Sequence, residues 1–174
     1  MKNYIIDPLH SEIGFKIKHL MISTVNGVFT KFNAEMSSPN DDTFEDAVIT
    51  FDTDVDSIST NITDRDGHLK SADFFDAENF PKITFKSNSV KQSGTNYEIK
   101  GDMTIKDVTE PITLVGIYNG NDVDGYGQTK HGFDIEGSIS RKDYGLNFNL
   151  TGGKGSLIIG DEVKLNITIQ MIEQ

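Results

Sequence analysis

The chain has 174 residues, 36% of them hydrophobic and 9% aromatic, which fits one globular domain with a core and excludes a disordered chain. It holds no cysteine, so disulfides, thiolate metal sites and cysteine nucleophiles are excluded. With 16 Lys and Arg against 27 Asp and Glu the net charge is −11, which repels phosphate backbones and argues against nucleic acid as a partner.

The opening Met1-Lys2-Asn3-Tyr4-Ile5-Ile6-Asp7-Pro8 lacks an apolar leader run. No later stretch approaches the ~20 apolar residues of a membrane helix, so a cytoplasmic location is expected. From there period-2 alternation dominates. Ile13, Phe15, Ile17 and His19 share one face, and Lys16 and Lys18 the other. Gly27 and Phe29 point one way, and after Thr30-Lys31 the phase shifts to Phe32, Ala34 and Met36, which predicts a bulge or bend. Ala47, Ile49 and Phe51, then Ile83, Phe85 and Ser87, continue the pattern.

Between these last two runs, Ile62, Arg65, Leu69 and Ala72 recur at helical spacing. They predict a short helix over 61–71 with Thr60 or Asn61 as N-cap, ended before Pro81. In the second half, Tyr97 to Ile105, Ile112 to Tyr118, Phe133 to Ile139 and Val163 to Met171 alternate cleanly. One wet and one dry face per strand predicts an antiparallel sheet. Turns are expected at 37–42, 92–94, 107–111, 119–122, 152–153 and 160–161. Glycines within strands suit the bends of a small closed barrel and leave room inside it.

Chemistry-bearing motifs are scarce. His10, His19, His68 and His131 form no metal-ligand pair. Asp52, Asp54 and Asp56 open like a calcium loop, but Ser57 and Thr63 stand where Gly and Glu are needed, so these carboxylates are read as a wet strand face. Gly152-Gly153-Lys154-Gly155 fails as a phosphate loop because Phe148 occupies the first glycine position. For an enzyme acting on a lipid or small acid, His19 with Glu12 or His10 is the faint candidate pair.

The segment Ile6-Asp7-Pro8-Leu9-His10-Ser11-x-Ile13-x-Phe15-x-Ile17-x-His19-Leu20, continuing through Gly27-x-Phe29, resembles the start of the YceI-like polyisoprenoid-binding proteins. The likeness continues in Asn61-x-x-x-Arg65-Asp66-x-His68-Leu69-Lys70-Ser71-x-Asp73-Phe74-Phe75-Asp76, Phe80-Pro81-x-Ile83-x-Phe85, Gly101-Asp102-Met103-Thr104-Ile105-Lys106, Arg141-Lys142-Asp143-Tyr144-Gly145-Leu146 and Ile159-Gly160-Asp161-Glu162-Val163. These blocks span nearly the whole chain, in family order. The resemblance implies an all-β fold over residues 1–174: an extended, lipocalin-like antiparallel barrel of about eight strands with one short helix. It also implies a deep pore for isoprenoid or long acyl tails, a carrier or store rather than an enzyme, and no cofactor or metal.

On that reading the pore candidates are Phe15, Ile17, Phe29, Ile49, Phe51, Phe85, Ile99, Met103, Leu114 and Phe133. Candidate head-group donors are Arg65, His68 and Lys70, with Arg141 as an outsider. Leu69, Phe74, Phe75 and Phe80 would wall or gate the mouth, and His19 is either a polar contact in the pore or a buried, backbone-bonded histidine. The alternative for Arg65 is a pairing with Asp64, Asp66 or Asp73. The alternative for the whole molecule is a stress-response or protein-interaction module with a filled core. A homodimer is left open.

Overall fold

The computed structural model describes residues 1–40, 42–155 and 157–174. In chain order, the elements are β1 (Lys2–Ile6), β2 (Glu12–His19), β3 (Ser23–Phe29), β4 (Phe32–Ser38), β5 (Val48–Asp54), β6 (Ile58–Ser59), α1 (Thr63–Lys70), β7 (Lys82–Ser93), β8 (Asn96–Ile105), β9 (Val108–Val123), β10 (Thr129–Ser140) and β11 (Ile159–Glu173). Pairing runs β1-β4-β5-β7-β8-β9-β10-β11 and closes through β1–β11, antiparallel throughout. Strands β2, β3 and β6 continue from β11 as a further run.

The barrel therefore has eight staves, three of them broken at one level. β1 passes into β2 across Asp7–Ser11, β3 into β4 across Thr30–Lys31, and β5 into β6 across Val55–Ser57. Each break has a local cause. Pro8 has no N–H to give a ladder, and Asp7 accepts the Leu9 N–H at 3.1 Å to start a short 3-10 turn. The other two breaks are stitched to each other: the Thr30 N–H donates to the Ser57 carbonyl, and the Thr53 hydroxyl and Asp54 N–H donate to that of Lys31. The phase shift after Phe29 is thus a strand end rather than a bulge, since β3 pairs with β2 and β6 while β4 pairs with β1 and β5.

Several turns fall elsewhere than the sequence predicts. Residues 119–122 lie inside β9 and Gly160-Asp161 inside β11. The β9–β10 turn is instead at 124–128, where Asp124 accepts the Tyr126 and Gln128 N–H groups. The 107–111 turn shrinks to Lys106-Asp107, and Pro111 is taken into β9 opposite Asp102. Helix α1 starts at Thr63 without a side-chain cap; Thr60 is buried and bonds to Asp66 and Arg65 instead.

Asp52 and Asp54 do lie on the wet face, where they hold Lys82 of β7 at 2.8 and 2.6 Å. The core lies inside the barrel, drawn from alternate positions such as Tyr97, Ile99, Met103 and Ile105 of β8. Close ring packing needs glycine at two inward positions. A Cβ at Gly27 would collide with the Phe15 ring, and one at Gly101 with Phe85 and the Lys86 carbonyl.

Candidate functional site

The barrel is hollow at one end and stoppered at the other. The hollow, about 350 Å³, lies at the β2–β3–α1 end. Strands β2, β10 and β11 give it Ile13, Phe15, Ile17, Ile139, Val163, Leu165 and Ile167. Val25 and Phe29 come from β3, Phe51 and Thr53 from β5, Ile83 from β7, and Met103 and Ile105 from β8. The pleat explains this lining, because every second residue of a strand faces inward.

The remaining wall is not strand. Leu69, Phe74 and Phe75 come from α1 and the turn after it, and Leu146, Phe148, Leu150 and Ile158 from the segment between β10 and β11. The rings of His68, Phe74 and Phe148 lie edge to face or tilted, with centroids 4.9–5.2 Å apart, and join these two segments. The basic side chains on its lining are Lys18, His19 and His68, which are exposed at the rim, the half-buried Arg65 and the buried Arg141.

Each rim group has its own environment. Arg65 turns from its neighbouring carboxylates to Thr60, donating from Nε to the hydroxyl and from Nη2 to the carbonyl, both at 2.7 Å. His68 meets Asp73 at 2.8 Å. His19 is exposed at the open end of β2, so it is not a buried, backbone-bonded histidine. Lys70 does not line the hollow and lies 3.5 Å from Asp56.

Arg141 is 3% exposed, and its donors are spent on the carbonyls of Leu146, Phe148, Ile159 and Gly160. Burial pushes its guanidinium below the ordinary range, against the opposing pull of Asp161. It pins the segment that walls the cavity and has no donor turned to a head group.

The stoppered end carries other residues. Phe44, from the connection between β4 and β5, stands with ring centroids 5.0–5.9 Å from Tyr4, Tyr97, Tyr118, His131 and Phe133. His131 Nδ1 shares a hydrogen bond with the Tyr118 hydroxyl at 3.0 Å, and its Nε2 faces Glu173 at 3.3 Å. Hydrogen bonds from Lys2 and His131 hold the Glu173 carboxyl below its ordinary range. A void of about 50 Å³ lies there, lined by Ile49, Ile99 and Phe133 among others.

Of the pore candidates, Phe15, Ile17, Phe29, Phe51 and Met103 thus meet around the large hollow. Ile49, Ile99 and Phe133 lie apart in the stoppered half, and Phe85 and Leu114 are core that lines neither space. Phe80 lines neither space as well. The alternation alone could have supplied Ile13, Ile83, Ile105, Ile139, Leu165 and Ile167, which continue faces already read. Nothing periodic marks Leu146 to Ile158. The pair weighed for catalysis is separated: His19 and Glu12 stand at opposite ends of β2, and His10 is bonded to Asp7 at 2.9 Å.

A family model described as YceI-like domain matches residues 4–171. UPF0312 proteins of Staphylococcus aureus strains MSSA476 and USA300 are each 38% identical over 173 residues, covering 98% of this chain and 97% of theirs. Among solved structures, the YceI protein of Campylobacter jejuni superposes with a TM-score of 0.77 at 28% identity, over 91% of this chain and 90% of that one. Burkholderia cenocepacia BcnA does so at 0.80 and 23% identity, over 95% and 98%. A polyisoprenoid binding domain from Saccharophagus degradans does so at 0.72 and 14% identity, over 98% of both chains. The all-β barrel with its single short helix and the match along almost the whole sequence place this chain in the YceI-like family.

Proposed function

We propose that the chain binds a long-chain lipid, isoprenoid or acyl, with its tail in the hollow, as a carrier or store that does no chemistry on it. The observation that carries this reading is the hollow itself: about 350 Å³ walled by aliphatic and aromatic side chains, within the size range of ligand pockets. If each carbon takes about as much room as water's ~30 Å³ share of the liquid, the space holds on the order of ten carbons. At about 0.8 kcal/mol per buried CH₂, such a tail gains ~8 kcal/mol, comparable to the cost of association.

The head group then lies at the rim. Arg65 bonds Thr60 through Nε and Nη2, and Lys18, His19 and His68 line the same hollow, a set suited to a phosphate or carboxylate. The fold shared with the polyisoprenoid binding domain of Saccharophagus degradans agrees with such a ligand. The separation of His19 from Glu12 and His10 supports binding rather than catalysis.

A second reading, a filled scaffold for protein contacts, is favoured by the stoppered half. Solvent extraction of purified protein followed by mass spectrometry separates the two. A stoichiometric tail-bearing lipid is expected, lost in Phe29→Asp and kept in Lys16→Glu, which changes the outer face of β2. Equal retention by both variants, or no lipid in the parent protein, overturns the lipid-binding reading.

A further inference from the structure

The rim has a lip of unusual chemistry. Leu20 and Met21, at the tip of the β2–β3 hairpin, both have left-handed backbone, with φ of 53° and 59°. Glycine or asparagine is the ordinary occupant of such a turn, and a large aliphatic side chain is strained there. The tip is also greasy where folding gains nothing from it: Met21 is 63% exposed and Ile22 83%. Beside it lies the hairpin formed around the Thr151–Leu157 bridge, with Leu150 and Leu157 exposed; the Leu20 N–H donates to the Ile158 carbonyl at 2.7 Å and joins the two tips.

Charge follows the same geography. In a chain of net charge −11, neither residues 13–34 nor residues 144–160 contain an Asp or Glu. They contribute Lys16, Lys18, Lys31 and Lys154, and Lys164 lies across from Lys16 in the β2–β11 ladder. The carboxylates near this end belong to the helix side, with Asp64, Asp66 and Asp73, and to Asp143, Asp161 and Glu162.

From these we infer that the paired tips are a membrane-docking lip, which inserts Met21, Ile22, Leu150 and Leu157 among the head groups of an anionic bilayer and turns the mouth of the hollow toward it. The occupant follows from the lip. Narrow apolar tips backed by lysines suit a soft anionic interface. Their continuity with a lipid-sized opening gives the contact a use, so this inference rests on the lipid-binding reading. Asp64, Asp66 and Asp73 disfavour contact through the helix side, while Asp161 beside the lip is paired with Lys142 at 3.2 Å, so the molecule tilts onto its hairpin lip.

The test is flotation of the full chain with vesicles of phosphatidylcholine alone or with equimolar phosphatidylglycerol. Lipid retained from purification is measured in parallel. The parent protein is expected to float with the anionic vesicles and to release in high salt. The double variant Met21→Asp/Ile22→Asp should bind at least about tenfold more weakly, since each side chain gives up its apolar burial. It should keep its retained lipid, because neither residue lines the hollow. Lys154→Gln should weaken binding to anionic vesicles about fivefold, one lysine near such a surface being worth that much. Tyr126→Asp, at the 94% exposed turn between β9 and β10, should change nothing. Undiminished flotation of the double variant, absence of flotation by the parent, or salt-independent binding to phosphatidylcholine alone overturns the docking lip. Loss of retained lipid from the parent with docking intact overturns the lipid-binding reading instead.

Discussion

Asp7 shows how much one side chain can hold at the waist of this barrel. Its carboxylate is buried between Lys130 at 2.6 Å and His10 at 2.9 Å, and it caps the 3-10 turn where β1 ends. Burial opposes its ionisation, but hydrogen bonds from Lys130, His10 and the Leu9 N–H outweigh that and bring its pKa down to about 2 from an ordinary 3.8. A depressed carboxylate adds stability above its unfolded pKa and loses it as pH falls through the folded one. The contribution is about 2 kcal/mol, complete above roughly pH 4 and gone below about pH 2. Asp7→Asn is therefore expected to lower the unfolding free energy by about that amount at neutral pH and to flatten its fall across this acid window. Denaturant titrations of both proteins at several pH values would show it; parallel acid profiles would refute the assignment. Arg141 acts on the same scale and is the residue whose role sequence reasoning could least supply. Its motif was visible, but its four carbonyl partners lie up to 19 residues away, across a segment with no period to place it.

At the scale of elements, the strands were legible because one face is wet. Alternation found the inward faces of β2, β8, β9, β10 and β11, and the helical spacing found α1 to within two residues of its ends. Turns were less legible. Gly120 and Pro111 read as punctuation, yet long antiparallel strands absorb both: Gly120 adopts φ of 106° at the register shift beside Gly132–Phe133, and Pro111 lies within the β8–β9 ladder. The β2–β3 turn is the converse, since Leu20-Met21-Ile22 carries no turn residue at all. Its strain offers a direct trial of what the turn is kept for. Leu20→Asn/Met21→Gly restores residues suited to left-handed backbone and is expected to stabilise the fold by about 2 kcal/mol, read as a rise in Tm. If the lip has the docking role, the same variant loses vesicle binding as it gains stability, a trade met where backbone strain serves function. A higher Tm with flotation unchanged would mean that the turn is merely tolerated.

For the molecule as a whole, composition and periodicity pointed to a closed barrel but could not say how much of it is hollow. Inward residues look alike whether they line space or fill it. The division is set by Phe44, which belongs to no strand and carries no periodic signal. It reaches the interior because the connection between β4 and β5 turns back into the barrel, with the Ser38 hydroxyl donating to the carbonyls of Asn40 and Thr43 and the Asn40 amide to that of Glu45. There Phe44 is 7% exposed and packs against five aromatic rings around the void of about 50 Å³. On the proposed lipid-binding reading a tail enters at the β2–β3 end, and Phe44, on the lining of the smaller void, is expected to limit how far it reaches. Phe44→Ala removes the central ring and is expected to cost about 3–5 kcal/mol of stability, as large-to-small core changes do. It also joins the small void to the space vacated. Protein carrying that variant should therefore retain lipids with tails several carbons longer, seen as a mass shift in the extracted fraction. Phe133→Leu, a smaller change in the same cluster, keeps the stopper and should leave the tail length where it was. An unchanged lipid profile in Phe44→Ala, with the fold intact by circular dichroism, would show that the tail stops short of the aromatic cluster and that the strands around Phe51 and Met103 set its depth.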